Sequence, residues 1–267
     1  MKDKIPYILT IAGSDASGGA GIQADIKTIT TCNGYAASAI TCVTAQNSKG
    51  VFDIVPISIE SVKQQIVRVL EDLPIKVIKI GMLYSQEIII EVANILKQYP
   101  DIPVVLDPIM IASSNKTLLQ EKAFKALEND LINKVTLLTP NIPEANVLLR
   151  REISDPLKDV VVLGQRYKIS VLLKGGHQSK DGYMKDILYD YPNNKTYTFI
   201  HPAIKTTNTH GTGCTLSSAI ATYLGQNQNL YSAVKDGIDY LQSLLQKSKD
   251  RSNHKENGPL FHFLNIE

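Results

Sequence analysis

Short apolar runs alternate with helical patterns from one end of the chain to the other. The runs are of strand length and rich in β-branched residues, and polar turn residues separate them from the helical stretches. Strands are predicted over residues 6–12, 36–44, 76–80, 104–106, 135–138, 169–173, 186–191 and 196–200, the last two as an edge hairpin. Helices are predicted from residue 22, over 60–72 and 121–129, loosely within 150–168, from residue 214 directly after the glycine turn, and over 231–247. This alternation predicts an α/β fold, a three-layer α/β/α sandwich with a mainly parallel central sheet.

Length and composition narrow the possible partners. The chain has 267 residues, which suits a single domain over residues 1–267 with a well-buried core. The formal net charge of +2 supplies no attractive field for nucleic acid, and 43% hydrophobic with 20% charged residues is ordinary for a globular enzyme. A small-molecule partner is therefore favoured. The first residues are charged and the apolar run at 8–13 is only strand-length, so we expect no signal peptide, no membrane span and a cytoplasmic location.

The cysteines do not indicate a disulfide framework or a structural metal site. Cys32, Cys42 and Cys214 are an odd number at wide spacing, which fits neither a set of disulfides nor a zinc site. They are expected to be reduced thiols.

The most informative stretch is residues 208–225, with the sequence NTHGTGCTLSSAIATYLG. Gly211 and Gly213 flank Thr212, so the backbone can turn sharply there and bring its N–H groups close to a ligand. A helical pattern follows at once, and the free N–H groups and dipole of a helix N-terminus suit an anion such as phosphate. Cys214 lies at the same place. We expect its pKa to be lowered from the free value of about 8.5, which makes it a candidate base.

The same stretch has a purely structural interpretation. A glycine turn can begin an ordinary helix, with the cysteine buried as a small hydrophobic residue. Two other phosphate motifs are excluded, because the run lacks the Gly-Lys-Ser/Thr ending of a P-loop and has Leu216 where a dinucleotide fingerprint needs a small residue. The pattern alone leaves the structural interpretation and the anion site both open.

Glycine and amide residues follow the first predicted strands. Loops after the carboxyl ends of parallel strands are where open sheets bind ligands. Gly13 begins the turn GSDASGGAG, and Gln46 follows the second strand, where its amide offers donors and an acceptor together, as an aminopyrimidine edge requires. The alternatives are a tight turn for the glycines and a solvent-facing loop for Gln46. Met82, after the strand at 76–80, can simply fill a gap in the core.

Charged residues follow the later strands. Asp107 comes directly after the strand at 104–106 and is placed to bind or orient magnesium next to phosphates. Asn141 and Glu144 stand three residues apart at a helix start, although a capping pair has the same spacing. Lys174 supplies a point charge suited to a polyphosphate.

Seven motifs, in this order, resemble the ribokinase-like superfamily in the form used by hydroxymethylpyrimidine/phosphomethylpyrimidine kinases of thiamine biosynthesis. They are GSDASGGAGIQADIKT, TAQNSKGV, GM at 81–82, DPIM at 107–110, N-x-x-E at 141–144, KGGH at 174–177 and NTHGTGCTLSSAI. The resemblance spans nearly the whole chain and is weakest over residues 150–168, to which we assign no chemistry. Most ribokinase-like enzymes have an aspartate at the position of Cys214, whereas the pyrimidine-kinase and pyridoxal-kinase branch resembles this chain in having a cysteine.

The resemblance implies a role for each candidate residue. The substrate pocket would be lined by Gly13, Asp25, Gln46, Met82 and Met110, the nucleotide would meet Asn141, Lys174, Gly176, Gly211 and Gly213, and magnesium would be bound or oriented by Asp107 and Glu144. The backbone of Gly211, Thr212 and Gly213 would stabilise the transferring phosphoryl group, and Cys214 would accept or orient the hydroxyl proton. ATP and Mg²⁺ are the implied cofactors. A homodimer is expected on the same ground, and the polar loop at 113–119 is a candidate flap over the substrate.

The expected activity is the ATP-dependent phosphorylation of 4-amino-5-hydroxymethyl-2-methylpyrimidine and then of its monophosphate to the diphosphate. Pyridoxal kinase is the alternative enzyme, because that branch shares the GSD start and the cysteine. Gln46 favours the pyrimidine. A catalytically silent nucleotide-binding regulator would lack the anion hole or the base, and this sequence lacks neither.

Overall fold

One sheet runs through the part of the chain that the structure, a computed structural model, describes: residues 5–110, 121–175, 182–249, 251 and 257–265. Its nine strands are β1 Tyr7–Asp15, β2 Tyr35–Asn47, β3 Gly50–Pro56, β4 Ile75–Ile80, β5 Val104–Leu106, β6 Leu137–Leu138, β7 Ser170–Leu173, β8 Tyr183–Asp190 and β9 Lys195–Pro202. The helices are α1 Gly21–Thr31, α2 Ile59–Asp72, α3 Gln86–Leu96, α4 Glu121–Ala126, α5 Ile142–Leu149, α6 Pro156–Tyr167, α7 Thr212–Gly225 and α8 Leu230–Ser248. Helix α4 continues into a π-helical turn at Leu127–Leu131 and a 3-10 turn at Ile132–Lys134, and a last 3-10 turn spans His262–Asn265.

The sheet is mainly parallel, and its strand order is β3-β2-β1-β4-β5-β6-β7-β8-β9. Strands β2, β1, β4, β5, β6 and β7 pair in parallel, whereas β3, β8 and β9 each pair antiparallel with their neighbours. Strand β1 lies between β2 and β4. The strands β2 and β3 extend the sheet on one side of β1, and all later strands extend it on the other side. In open sheets, ligands bind beside such a switch in strand order.

The helices cover both faces of the sheet because the buried strands carry apolar residues on both sides. Leu9 and Ile11 face a large cluster with residues of α2, α3, α4, α5 and α6. Ile8 points the other way, into a cluster with residues of α1, α7 and α8. The predicted three-layer α/β/α sandwich is therefore confirmed.

Several helix starts are set by single polar side chains. Ser58 accepts a hydrogen bond from the Ser61 N–H at the start of α2, and Asn229 does the same for the Ser232 N–H at the start of α8. Such caps satisfy backbone donors that the helix itself leaves unpaired. None of the helices in the described ranges is long and apolar enough to cross a membrane.

Two elements were missed by the sequence analysis. Strand β3 extends the sheet antiparallel to the end of β2, with Gln46 opposite Val51, and most of its residues are partly or fully exposed. Its sequence GVFDIVP is rich in β-branched and aromatic residues, so a strand signal was present and was overlooked, although Phe52 and Val55 are exposed. Helix α3 contains the run Ile88–Ile90, whose β-branched residues favour a strand, but tertiary packing buries most of its circumference and Ser85 caps its start.

Candidate active site

The strand-end residues meet at one edge of the sheet, as predicted. Asp15, Gln46 and Met82 follow or end β1, β2 and β4, while Asp107 and Lys174 follow β5 and β7. The N-terminus of α7 faces this edge, because a Cβ built on Gly213 would lie 3.1 Å from Asp107 Oδ2 and 3.5 Å from Lys174 Nζ. The structure thus brings the glycine turn and the charged residues into one site.

The turn before α7 requires glycine. Gly211 has φ of 84°, in the left-handed region, and a Cβ added there would overlap the carbonyl of Gly19. In the described chain no side chain caps this helix. The Thr212 N–H, however, already donates to the Thr209 carbonyl at 3.3 Å. Three backbone N–H groups were predicted to bind an anion. That of Thr212 is already hydrogen-bonded within the turn, whereas anion binding by the N–H groups of Gly211 and Gly213 remains a prediction.

Cys214 is buried between the starts of two helices. Its side chain is only 5% exposed, and the backbone N–H of Gly21, the first residue of α1, donates to its sulfur. Burial raises the pKa of the Cys214 thiol to about 12, and the positive charge of Lys79 offsets only part of this rise. The expectation of a lowered pKa is therefore wrong for the protein without ligand. Desolvation outweighs the charge of Lys79 and the hydrogen bond from the Gly21 N–H, so the neutral thiol is favoured at neutral pH.

A fully buried ion pair lies beside Cys214. Lys79 Nζ lies 2.8 Å from both carboxylate oxygens of Asp25, and neither side chain is exposed. Hydroxyls of Thr10 and Ser218 also donate to Asp25, at 2.6 and 2.8 Å. The carboxylate predicted for the substrate pocket is thus occupied by Lys79 inside the protein, and its contact with a ligand stays a prediction.

Lys79 was not singled out from the sequence, although a signal was present. It lies within the strand-length run 75–80, where its neighbours are aliphatic and buried. A lysine in such a run needs a buried partner, because an unpaired charge in the interior is too costly. The pattern could have predicted a partner, but it does not reveal that the partner is Asp25, 54 residues away.

Asp107 and Lys174 form a second, partly buried ion pair. Lys174 Nζ lies 2.7 Å from Asp107 Oδ1, which also accepts from the Thr139 hydroxyl at 3.2 Å. Asp107 Oδ2 is the oxygen that faces Gly213. The pair therefore places the positive charge of Lys174 and the Oδ2 oxygen of Asp107 at the start of α7.

Asn141 and Glu144 form a capping box. The Asn141 side chain accepts from the Glu144 N–H, and the Glu144 carboxylate accepts from the Asn141 N–H, each at 2.8 Å. The capping alternative is thus confirmed, and it leaves a role in magnesium binding open. Burial raises the pKa of Glu144 to about 7, the charge of Lys174 lowers it and that of Asp107 raises it, so Glu144 lies in the same electrostatic environment.

These oxygens fit a magnesium ion in part. Groups of three or more His, Cys, Asp or Glu that could enclose a metal are absent from the described residues. Magnesium, however, commonly uses one or two carboxylates and completes its shell with water and substrate phosphates. Asp107 and Glu144, two buried carboxylates whose charges interact, match that donor set.

On the other side of the switch point, Gly13, Met82 and Cys42 pack together. A Cβ at Gly13 would lie 2.8 Å from Cys42 Sγ and 3.8 Å from Met82 Sδ, so only glycine leaves room there. Met82 is 8% exposed within a small apolar cluster at this edge of the sheet. Met110, in contrast, packs into the large core. Its backbone N–H donates a hydrogen bond to Glu144. Met110 therefore has a structural role in the core, and its contact with substrate stays a prediction.

Gln46 is half-buried beside His210, a residue that the sequence analysis did not select. The Thr44 hydroxyl donates to Gln46 Oε1 at 3.1 Å, and the Gln46 amide nitrogen lies 3.5 Å from His210 Nε2. His210 is in turn bonded to Asp15 at 2.7 Å. Gly176 and the candidate flap at 113–119 lie outside the described residues.

A cavity of about 690 Å³ lies elsewhere, beside the ends of β7 and β8 that face away from these residues. Its lining includes Lys168, Tyr191, Tyr197 and Tyr231, and none of the candidate site residues. Volume alone does not make it the site, because the convergent polar groups lie at the opposite strand ends.

Comparison with known proteins identifies relatives of this chain. A family model described as phosphomethylpyrimidine kinase matches residues 15–260. A putative hydroxymethylpyrimidine/phosphomethylpyrimidine kinase 2 of Schizosaccharomyces pombe is 40% identical over 273 residues, which cover 95% of this chain and 49% of that protein. The chain thus spans about half the length of the first curated relatives that it matches.

Two solved structures have the same fold. A phosphomethylpyrimidine kinase from Clostridium difficile 630 is 38% identical, with a TM-score of 0.77 over 90% of this chain and 99% of that one. A Bacillus subtilis pyridoxal kinase, solved as an ADP complex, is 28% identical, with a TM-score of 0.87 over 99% of this chain and 100% of that one. The family model and these relatives indicate the same family as the sequence motifs around Gly211 and Lys174. The chain belongs to the phosphomethylpyrimidine kinase family.

Proposed function

We propose that this chain, as one kinase domain over residues 1–267, phosphorylates 4-amino-5-hydroxymethyl-2-methylpyrimidine and then its monophosphate, with ATP as donor. The observation that carries this proposal is the convergence of a glycine turn, Lys174 and Asp107 beside Gln46 at one edge of the sheet. The glycine turn and Lys174 suit phosphate groups, Asp107 suits a metal ion that accompanies them, and the amide suits the polar edge of a ring. Family membership supports the same activity.

The transfer step uses the groups around α7. The substrate hydroxyl attacks the γ-phosphorus in line, the bond to the bridging oxygen breaks, and ADP leaves. Backbone N–H groups of Gly211 and Gly213 and the charge of Lys174 stabilise the negative charge on the transferring group. As a neutral thiol, Cys214 would orient the hydroxyl by accepting a hydrogen bond from it, and the hydroxyl proton would pass to an oxygen of the transferred phosphoryl group; Cys214 could accept that proton itself only if bound ligands had first removed its own. A loose transition state needs little proton removal early, which is compatible with a thiol that is protonated before ligands bind.

Nucleotide and magnesium would lie on the β5 to β7 side. Asn141 and Lys174 would meet the nucleotide, as would Gly176. Asp107 and Glu144 would hold or orient Mg²⁺, which neutralises phosphate oxygens when bound. The expected homodimer and cytoplasmic location stay predictions.

Pyridoxal kinase is the second candidate. The observation that favours it is the higher TM-score of the Bacillus subtilis pyridoxal kinase, 0.87 against 0.77 for the Clostridium difficile enzyme. Sequence identity ranks them in the opposite order, 28% against 38%. Gln46 decides in favour of the pyrimidine, because its amide can pair with an aminopyrimidine edge.

A coupled kinase assay tests the proposal with the hydroxymethylpyrimidine, its monophosphate, pyridoxal and pyridoxine side by side. We expect both pyrimidines to be the better substrates. Gln46→Ala should raise the KM for the pyrimidine far more than the KM for ATP, because it removes the paired hydrogen bonds to the ring. Gln64→Ala, the same substitution on the exposed surface of α2, is the matched control. If the unmodified protein turns over pyridoxal better, the second candidate replaces the first.

A further inference from the structure

His210 and Asp15 join two loops of the site. His210 precedes the Gly211 turn, and Asp15 is the last residue of β1. His210 Nε2 lies 2.7 Å from Asp15 Oδ2, and the two residues are 8% and 3% exposed. The backbone packs as closely as the side chains, because a Cβ added to Gly19 would overlap the imidazole of His210. The loop after β1 and the turn before α7 therefore form one packed unit.

The hydrogen bonds of Asp15 determine where the imidazole carries its proton. Its Oδ1 accepts from the N–H and the hydroxyl of Ser17 at 2.9 and 2.8 Å, and its Oδ2 accepts from the Ala20 N–H at 2.8 Å. Burial raises the pKa of Asp15, but the bonds from His210 and Ser17 outweigh burial and lower this pKa to about 2. The ionised carboxylate can only accept. His210 Nε2 must therefore carry the hydrogen in its bond to Asp15.

This proton placement decides which partners the Gln46 amide can have. Its nitrogen lies 3.5 Å from His210 Nε2, and its oxygen accepts from the Thr44 hydroxyl at 3.1 Å. A ring nitrogen that carries a hydrogen cannot accept one. The imidazole therefore lies against the amide NH₂ without accepting a hydrogen bond from it. The amide oxygen lies within reach of the Thr44 hydroxyl, whose single hydrogen it shares with the Ser14 carbonyl at 3.0 Å. The NH₂ group stays available to an acceptor on a ligand.

We propose that Asp15 and His210 are positioning residues for Gln46, which keep its NH₂ group available to an acceptor nitrogen of the ring substrate and join its loop to the phosphate-binding turn. The inference rests on the proposed role of Gln46 in substrate binding. In Asp15→Asn the new amide can donate to His210 Nε2. The imidazole hydrogen then moves to Nδ1, Nε2 becomes an acceptor, and it competes with the substrate for the Gln46 NH₂ group.

The first test measures the tautomer directly, by ¹⁵N NMR of histidine-labelled protein without ligands. We expect a hydrogen on Nε2 of His210 in the unmodified protein and a shift toward the Nδ1–H tautomer in Asp15→Asn. An Nδ1–H tautomer in the unmodified protein would overturn the proposal even if the variant does not fold. This measurement requires no catalysis, so it stands whichever substrate the enzyme prefers.

The second test separates the two Michaelis constants. We expect Asp15→Asn to raise the KM for the pyrimidine by about tenfold, the worth of one competing hydrogen bond, and to leave the KM for ATP within about twofold. Asp186→Asn makes the same change in another Asp–His pair of the described residues, His201 Nε2 to Asp186 Oδ2 at 2.9 Å, and should leave the pyrimidine KM unchanged. An equal rise in both constants, or the same effect in Asp186→Asn, contradicts the proposal. If the unmodified protein does not phosphorylate the pyrimidine, the proposed function fails, and the tautomer measurement still decides the role of Asp15.

Discussion

Alkylation of Cys214 tests whether burial or the helix N-termini control this thiol. Only the thiolate reacts with iodoacetamide, so the rate reports the ionised fraction. At pH of about 8, a thiol with a pKa of about 12 is ionised to about one part in 10⁴, against about one part in ten at the ordinary value of 9.0. We therefore expect Cys214 in the folded protein to react about a thousandfold more slowly than in the unfolded chain.

The assay follows each cysteine by peptide mass spectrometry, in the folded protein and in the same protein unfolded by urea. The logarithm of the Cys214 rate should rise by about one for each pH unit between about pH 7.5 and 9.5, without a plateau. Cys32 is the internal control, because burial raises its pKa to about 12 as well and it lies away from α7, at the end of α1.

A plateau below about pH 9, or a folded rate within about tenfold of the unfolded rate, would refute this reasoning. So would a Cys214 rate far above that of Cys32. In either case the starts of α1 and α7 would stabilise the thiolate more than burial destabilises it, as the sequence predicts.

Substitutions at Cys214, Lys79 and Glu144 test the charged and reactive groups of the site. Cys214→Ala should fold, bind ATP and lose about 10²-fold in kcat with little change in KM, with Cys214→Ser in between; a normal kcat for Cys214→Ala would remove the proton-handling role. Lys79→Met leaves the buried Asp25 charge without its ion-pair partner, at a cost of about 3–5 kcal/mol, which for 267 residues lowers Tm by about 5–9 °C. A calorimetric shift below about 2 °C would contradict this. Glu144→Gln keeps an oxygen for the Asn141 N–H and should fold, but it should need more magnesium for half-maximal rate; an unchanged magnesium response would limit Glu144 to its capping role.

The sequence predicts the architecture well because the buried strands repeat one simple pattern. Residues 104–106 and the runs near β1, β4 and β7 are apolar on both faces, so they are recognisable without a partner. The edge of the sheet where these strands end then follows from their parallel order, which is why Gln46, Asp107 and Lys174 could be placed at the same edge from the sequence.

Features that depend on distant partners could not be derived in this way. The pair of Lys79 and Asp25 joins β4 to α1, and the bond of His210 to Asp15 spans 195 residues. No local pattern encodes such a contact. The pKa of Cys214 illustrates the same limit. A position at a helix N-terminus predicts a lowered pKa only for a thiol that is exposed to solvent, and the exposure of Cys214 is determined by tertiary packing.

The surroundings of Cys214 also give a physical reason for a thiol at this position. The charges of Asp25 and Asp107 both raise its pKa, whereas the charge of Lys79 and the hydrogen bond from the Gly21 N–H lower it. An aspartate in this place would add a third carboxylate to a buried region, and its ionised form would be destabilised by the other two. A thiol stays neutral there, so this region is assembled without the cost of a third buried anion. In the proposed transfer step a neutral thiol would suffice, because a loose transition state needs little proton removal early.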